Sequence, residues 1–254
     1  MINFALRGLR LLGWNPEKSR GLLNLPMYFR QLRAWKRLGG DVARLYPILH
    51  EYDDIAGRIG GHYFHQDLLV AKYVYQDAPE RHVDIGSRID GFVSHVASFR
   101  EIEVYDIRPL PQTAHTNIHF KQADLMEPGS IPPADSVSCL HVIEHFGLGR
   151  YGDRLDVNGH RIGITQLISI VKPGGRLYIS FPIGRTTNVQ FNAHRVFSPD
   201  EILTYDEVKN HLELERFDYV DDVGDLHLNK SIEDAAGRFS WGCGIYTFRR
   251  KLDS

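Results

Sequence analysis

The chain has 254 residues, 43% of them hydrophobic and 24% charged, with a net charge of −2, an ordinary globular balance at a length that builds one large domain or two small ones. No run of about 18 apolar residues occurs, which excludes a membrane-spanning helix. Arg7 and Arg10 interrupt "FALRGLRLLGW" before a secretory core can form, and two cysteines, Cys139 and Cys243, are too few for a disulfide framework or a cysteine-rich metal site. The expected compartment is the cytoplasm.

Charge is unevenly spread. Residues 1–50 carry nine Lys or Arg against Glu17 and Asp41, a local charge of +7 that leaves −9 for the remainder. Within this stretch, "YFRQLRAWKRL" (28–38) places Tyr28, Phe29, Leu32, Trp35 and Leu38 on one helical face and its basic residues elsewhere. It predicts a basic amphipathic helix ended by Gly39-Gly40. Such a helix either packs on its own domain or docks on a membrane surface or partner, and pairing of two copies of the chain through it is a further expectation.

From about residue 62 strands alternate with helices. "HYFHQDLLVAKYVYQ" reads as a helix. "RHVDIGS" (81–87), "IEVYDI" (102–107), "IHFKQAD" (118–124), "DSVSCLHV" (135–142) and "GGRLYISFPI" (174–183) read as strands, with "GITQLISIV" (163–171) as a helix between the last two. "RFDYVDDV" (216–223) and "GIYTFRR" (244–250) supply two more strands. The pattern predicts an α/β domain over 61–254, a Rossmann-like doubly wound sheet of seven strands, preceded by a helical extension over 1–60.

"HVIEH" (141–145) matches the H-x-x-E-H of one class of zinc peptidases. Those enzymes need both histidines on one helical turn. Here the preceding residues alternate as a strand, and in extended chain His141 and His145 would stand roughly 13 Å apart. A zinc peptidase is therefore not expected, and no metal is assigned.

In a doubly wound sheet, ligands lie beyond the carboxyl ends of the strands. Those ends are Asp84-Ile85-Gly86-Ser87, Asp106-Ile107-Arg108, Asp124-Leu125, His141-Val142-Ile143-Glu144-His145 and Pro182-Ile183-Gly184. A carboxylate after the second strand is where such folds accept the hydroxyls of a ribose, so the three acids point to a nucleoside ligand.

At these residues the chain resembles class I S-adenosylmethionine-dependent methyltransferases over about 62–250. "VDIGS" is similar to their first motif, "LHVIEHF" to the segment after their fourth strand, and "VKPGGRLYISFP" to their turn and fifth strand. The resemblance implies that the last strand is antiparallel and that S-adenosyl-L-methionine is the cofactor. It assigns Asp84, Gly86 and Ser87 to the methionine end, Asp106 and Ile107 to the ribose, and Asp124 and Leu125 to the adenine, with His141 in the same shell. One departure stands out: Arg88 and Asp90 occupy positions where the family has glycine. "EHFGLGRYGDRLDVNGH", "VKPGG" and "FPIGRTTNVQFNAHRVF" also resemble the DUF268 group, whose members occur with bacterial surface-polysaccharide genes, which implies a sugar acceptor by association.

Transfer to a sugar hydroxyl benefits from a general base. The candidates are His194, then Asp153, then His145, with Arg150, Tyr151, Asn192 and Arg195 as acceptor-binding groups on the loops 147–160 and 190–198. Asp153, Asp156 and Asn158 carry oxygen donors, but their spacing completes no calcium loop. The expected activity is O-methylation of a sugar or glycan. The alternative is a methyltransferase-fold binding module that has lost cofactor or activity, motivated by Arg88 and Asp90. The acidic main domain opposes a nucleic-acid substrate.

Overall fold

The computed structural model describes residues 19–52, 56–57 and 59–252. The chain divides into two compact units, Met1–Ile59 and Gly60–Ser254. Among the described residues, no helix is long and apolar enough to cross a membrane.

In the first unit a 3₁₀ turn, Gly21–Asn24, feeds α1 (Leu25–Arg37). Pro26 suits the first turn, where its missing N–H costs no helical bond. Gly39, at φ +85°, takes the left-handed conformation that terminates the helix. Asn24 donates to the Leu49 carbonyl and Tyr52 to Gln31, drawing the following segment back along the helix. Within this unit Tyr28 and Leu32 are partly buried, while Trp35 is 55% and Leu38 85% exposed.

The second unit runs α2 (His62–Asp77), β1 (His82–Ile85), α3 (Ser94–Ala97), β2 (Ile102–Asp106), β3 (Ile118–Gln122), β4 (Ala134–Leu140), α4 (Gly159–Ile170) and β5 (Val171–Ile183). It continues with β6 (Asn188–Gln190), β7 (His194–Val196), α5 (Glu201–Thr204), α6 (Asp206–His211), β8 (Leu212–Val220), β9 (Leu226–His227), α7 (Ile232–Ala235) and β10 (Gly242–Arg250). The main sheet has the order β3-β2-β1-β4-β5-β10-β8-β9, and β6 and β7 form a separate hairpin. Strands β1 to β5 are mutually parallel, and β10 is antiparallel to both of its neighbours. The last long strand is therefore antiparallel, as the resemblance implies. The sheet has eight strands where seven were expected. The eighth is β9, two residues that pair with Tyr219 and Val220, too short to leave an alternating signature in the sequence.

Alternation along each strand builds two layers. Val83 and Ile85, Val137 and Cys139, Leu177, Ile179 and Phe181, and Tyr246 and Phe248 face one core, shared with Ile164 and Leu167 of α4. Ile102 and Val104, Leu140, Tyr178 and Ile245 face the other, with Val70 and Val74 of α2 and Phe92. The second face also carries a polar seam. His82 meets Ser136 Oγ at 2.7 Å and Ser138 Oγ at 3.2 Å, and the Ser138 hydroxyl donates to Asp84 at 2.6 Å. Burial raises Asp84 to about 7 and lowers His82 to about 3, because each loses the hydration that would stabilise its charged form.

Strand order reverses at β1 and β4. From β1 the chain builds outward through β2 to β3, then returns to the other side. That reversal leaves a crevice at the carboxyl ends.

Candidate functional site

A pocket that opens to solvent occupies that crevice, where a sheet of this kind receives a small molecule. Gly86 forms its floor at φ +68°, and a Cβ there would lie 2.8 Å from Val142 Cγ1. Only glycine permits both the conformation and the close approach. Asp106, Ile107, Asp124, Leu125 and His141 also line the cavity, so six of the eight residues assigned to the cofactor come together.

Asp84 and Ser87 sit behind the wall. Asp84 is fully buried and accepts from Ser87 N at 3.0 Å, Ser87 Oγ at 2.7 Å and Ser138 Oγ. Ser87 Oγ in turn accepts from Leu140 N at 3.2 Å. These two residues clamp the β1 loop against β4, and their role is positioning. The residues in place of the family glycines also find partners. Arg88 pairs with Asp90 at 2.8 Å and lies over the Tyr63 ring, and Gly91 makes the close approach to Asp67, where a Cβ would fall 2.3 Å from its Oδ2.

Asp106 presents its carboxylate at the cavity edge, where Arg108 holds it through Nε at 2.9 Å and Nη2 at 2.6 Å. Arg108 also covers Tyr151, whose other neighbour is Arg150. Sequence reasoning places Arg108 at the end of this strand, two residues beyond Asp106, but assigns it no role. Asp124 Oδ1 accepts from Met126 N at 2.8 Å, which holds Leu125 and Met126 against the cavity.

The loop after β4 differs from the expected extended chain. Ile143–His145 make a 3₁₀ turn, which folds both histidines onto Glu144 Oε1, at 2.8 Å from His141 Nδ1 and 3.7 Å from His145 Nε2. The expected separation of 13 Å is thereby corrected: the 3₁₀ turn gathers the two rings instead of spreading them. Asp153 lines the cavity, but its oxygens accept from the amides of Gly147, Gly149 and Tyr151. It organises the loop and is poorly placed to take a proton. Asp156 is likewise engaged by Asn158 N and Arg154.

Arg195 was expected to bind acceptor. It is 4% exposed and donates to the carbonyls of Phe146 at 2.5 Å and Glu144 at 3.4 Å, so it stitches the loop from below. Asn192 lies exposed at the tip of the β6–β7 hairpin, away from the cavity. Arg150 donates to Ala193 O at 2.8 Å, and Tyr151 lines the cavity.

Among the candidate bases, His194 is not part of the cavity wall. It lies in β7 with its ring 4.6 Å from Trp241, and its Nε2 is buried with no partner among the described residues. His145 does line the cavity. Its Nδ1 meets Ala193 O at 2.7 Å, which fixes the proton on Nδ1 and leaves Nε2 as the accepting nitrogen. Burial lowers its pKa, so the ring is neutral near pH 7.

Residues 133–204, from the start of β4 through α5, match the family model described as "Caenorhabditis protein of unknown function, DUF268". No curated protein matches the chain. Among solved structures, the [4+2]-cyclase SpnF superposes with a TM-score of 0.53 at 14% identity, covering 94% of this chain and 98% of that one. The 1,6-didemethyltoxoflavin-N1-methyltransferase of Burkholderia thailandensis, crystallised with 1,6-didemethyltoxoflavin and S-adenosylhomocysteine, gives 0.51 at 13% identity over 74% and 79%. The methyltransferase domain of bacterial CtHen1-C gives 0.50 at 16% identity over 74% and 97%. At these identities the likeness is one of fold: the second unit has the Rossmann-like architecture of class I methyltransferases. The cyclase carries that architecture under the name of a different reaction, so the chemistry of this chain has to be argued from its own residues.

Proposed function

We propose that this protein binds S-adenosyl-L-methionine in the β1–β4 cavity and transfers the methyl group to a hydroxyl of a sugar or glycan. The observation that carries the reading is the cavity itself: a glycine floor, a carboxylate at its edge after β2, and apolar walls from Ile107, Leu125 and Met126, all at the reversal of strand order. The residues fit the cofactor. Asp106 supplies an acceptor for paired ribose hydroxyls, Ile107 and Leu125 bracket a flat ring, and Gly86 leaves backbone room for the methionine end. When bound, the cofactor supplies an electrophilic methyl carbon on a sulfonium.

The chain's own contribution is placement and proton removal. With the cofactor bound, an acceptor hydroxyl would give its proton to His145 Nε2, while Ala193 O holds the opposite edge of the ring. A neutral base of this kind supports an oxygen acceptor, since a hydroxyl has to shed its proton for transfer to succeed. Tyr151, between Arg108 and Arg150, forms the rim over which the acceptor enters. The sugar class rests on the polar loop and on the DUF268 resemblance.

Calorimetric titration with S-adenosylmethionine and S-adenosylhomocysteine tests the reading. Micromolar binding is expected, and Asp106→Ala should weaken it roughly 10- to 100-fold, the worth of hydrogen bonds to a charged acceptor. His145→Ala should keep binding and lose turnover on an acceptor sugar. Absence of binding to either nucleoside would overturn the proposal and favour a non-catalytic binding module.

A further inference from the structure

His62 at the first turn of α2, His141 after β4 and Cys243 near the start of β10 come from three distant parts of the chain, and one donor atom from each lies within 4.8 Å of the other two. The His141 side chain is 4% exposed, and its Nε2 has no hydrogen-bond partner among the described residues. Such an orphaned buried nitrogen calls for an explanation. Its other nitrogen, Nδ1, is held by Glu144 Oε1 at 2.8 Å. A carboxylate on one imidazole nitrogen, with the other nitrogen left unbonded, is how proteins orient a metal-binding histidine. Cys243 is fully buried, its thiol reaches Gln66 Oε1 and Gly244 O at 3.7 Å, and it lies against the His141 side chain. The His62 ring is stacked on His141 at 5.2 Å and backed by Trp241 at 5.8 Å.

We propose that His62, His141 and Cys243 form a zinc site, with Glu144 as the carboxylate that orients His141. Two imidazoles and a thiolate suit a borderline-soft ion such as Zn²⁺ and suit magnesium or calcium poorly. Tetrahedral bonds of about 2.0 Å to nitrogen and 2.3 Å to sulfur hold donors roughly 3.3–3.6 Å apart. The cluster therefore closes by about 1 Å on binding, a movement that half-buried His62 can supply. Cys243 binds as thiolate and releases its proton to solvent. Three protein ligands leave one position for water or an oxygen ligand, the arrangement of a zinc centre open to exchange. Of the three ligands, His141 also belongs to the cavity wall, whereas His62 and Cys243 do not line it. The site stands on its ligand geometry and does not rest on the methyl-transfer reading. It differs from the H-x-x-E-H arrangement of the peptidases, because the second histidine comes from α2 and His145 takes no part.

The test uses the full chain, stripped with chelator, loaded with ZnCl₂, desalted and assayed by mass spectrometry for metal. About one equivalent should remain, and Co²⁺ loaded in its place should show thiolate-to-metal charge transfer and the visible bands of a tetrahedral ion. Cys243→Ser should abolish the charge-transfer band. His62→Gln, at a half-buried helix start, should keep the fold and lose at least tenfold in affinity. Glu144→Gln should lose about 10- to 100-fold. Retention of less than a tenth of an equivalent by the wild type, or unchanged zinc in His62→Gln, would overturn the site. Titration of the same samples with S-adenosylhomocysteine separates the two proposals: zinc without nucleoside binding removes the methyl-transfer reading alone, and nucleoside binding without zinc removes the metal site alone.

Discussion

At the scale of single residues, His82 and Asp84 show how burial sets charge. Both are buried on one face of β1 and share Ser138. His82 titrates near 6.5 unfolded and about 3 folded, so its contribution is complete above 6.5 and lost as pH falls. Asp84 titrates near 3.8 unfolded and about 7 folded, so the native state keeps a proton that the unfolded chain gives up, and its contribution is lost as pH rises through that window. Between about pH 4 and 6.5 the two slopes oppose each other at roughly 1.4 kcal/mol per pH unit each, and they cancel. Asp84→Asn removes one of them. Urea unfolding of this variant should show stability falling with acidity below pH 6.5, relative to the wild type, by about 1.4 kcal/mol per unit. Parallel curves for the two proteins would show that Asp84 does not keep its proton in the native state.

At the scale of elements, the loop 146–160 is built from below by Arg195 and from within by Asp153. Removing the Arg195 guanidinium leaves the buried carbonyls of Glu144 and Phe146 without donors, a loss of about 1–3 kcal/mol. Arg195→Met should lower Tm by roughly 3–9 °C, whereas Asn192→Ala, exposed on the neighbouring hairpin, should leave it unchanged. Equal melting of the two variants would show that Arg195 does not hold the loop. The contrast also shows what the sequence makes legible. Long strands buried along most of their length, such as β4 and β5, and acids at strand ends, such as Asp106 and Asp124, announce themselves through composition and spacing. Arg195 and Asn192 are both polar residues beside a histidine, and nothing in the local pattern tells a stitched guanidinium from an exposed amide. The β6–β7 hairpin and β9 escape because three- and two-residue strands carry no period. The metal-ligand group escapes for a different reason: His62, His141 and Cys243 are separated by 79 and 102 positions, and only the sheet order brings them together.

At the scale of the whole molecule, the two units carry opposite charge. The first holds α1, whose apolar stripe is only partly covered within its own unit and whose remaining faces bear Arg30, Arg33, Lys36 and Arg37. We propose that this helix makes peripheral contact with an anionic lipid surface. The full chain should sediment with vesicles containing phosphatidylserine, less so in high salt, and a chain starting at Gly60 should stay in the supernatant. Equal sedimentation of the two would remove the helix from that role.

The position of β10 has a consequence for how the protein comes into being. It is the last strand in chain order, yet it lies inside the sheet, bonded to β5 on one side and β8 on the other. During synthesis β1 to β5 can pair as they emerge. Strands β8 and β9, made earlier than β10, have no edge to join until it arrives. Strand β10 is the piece that joins the two parts of the sheet, and a chain cut just before it holds β1 to β5 and the β8–β9 pair with no strand between them.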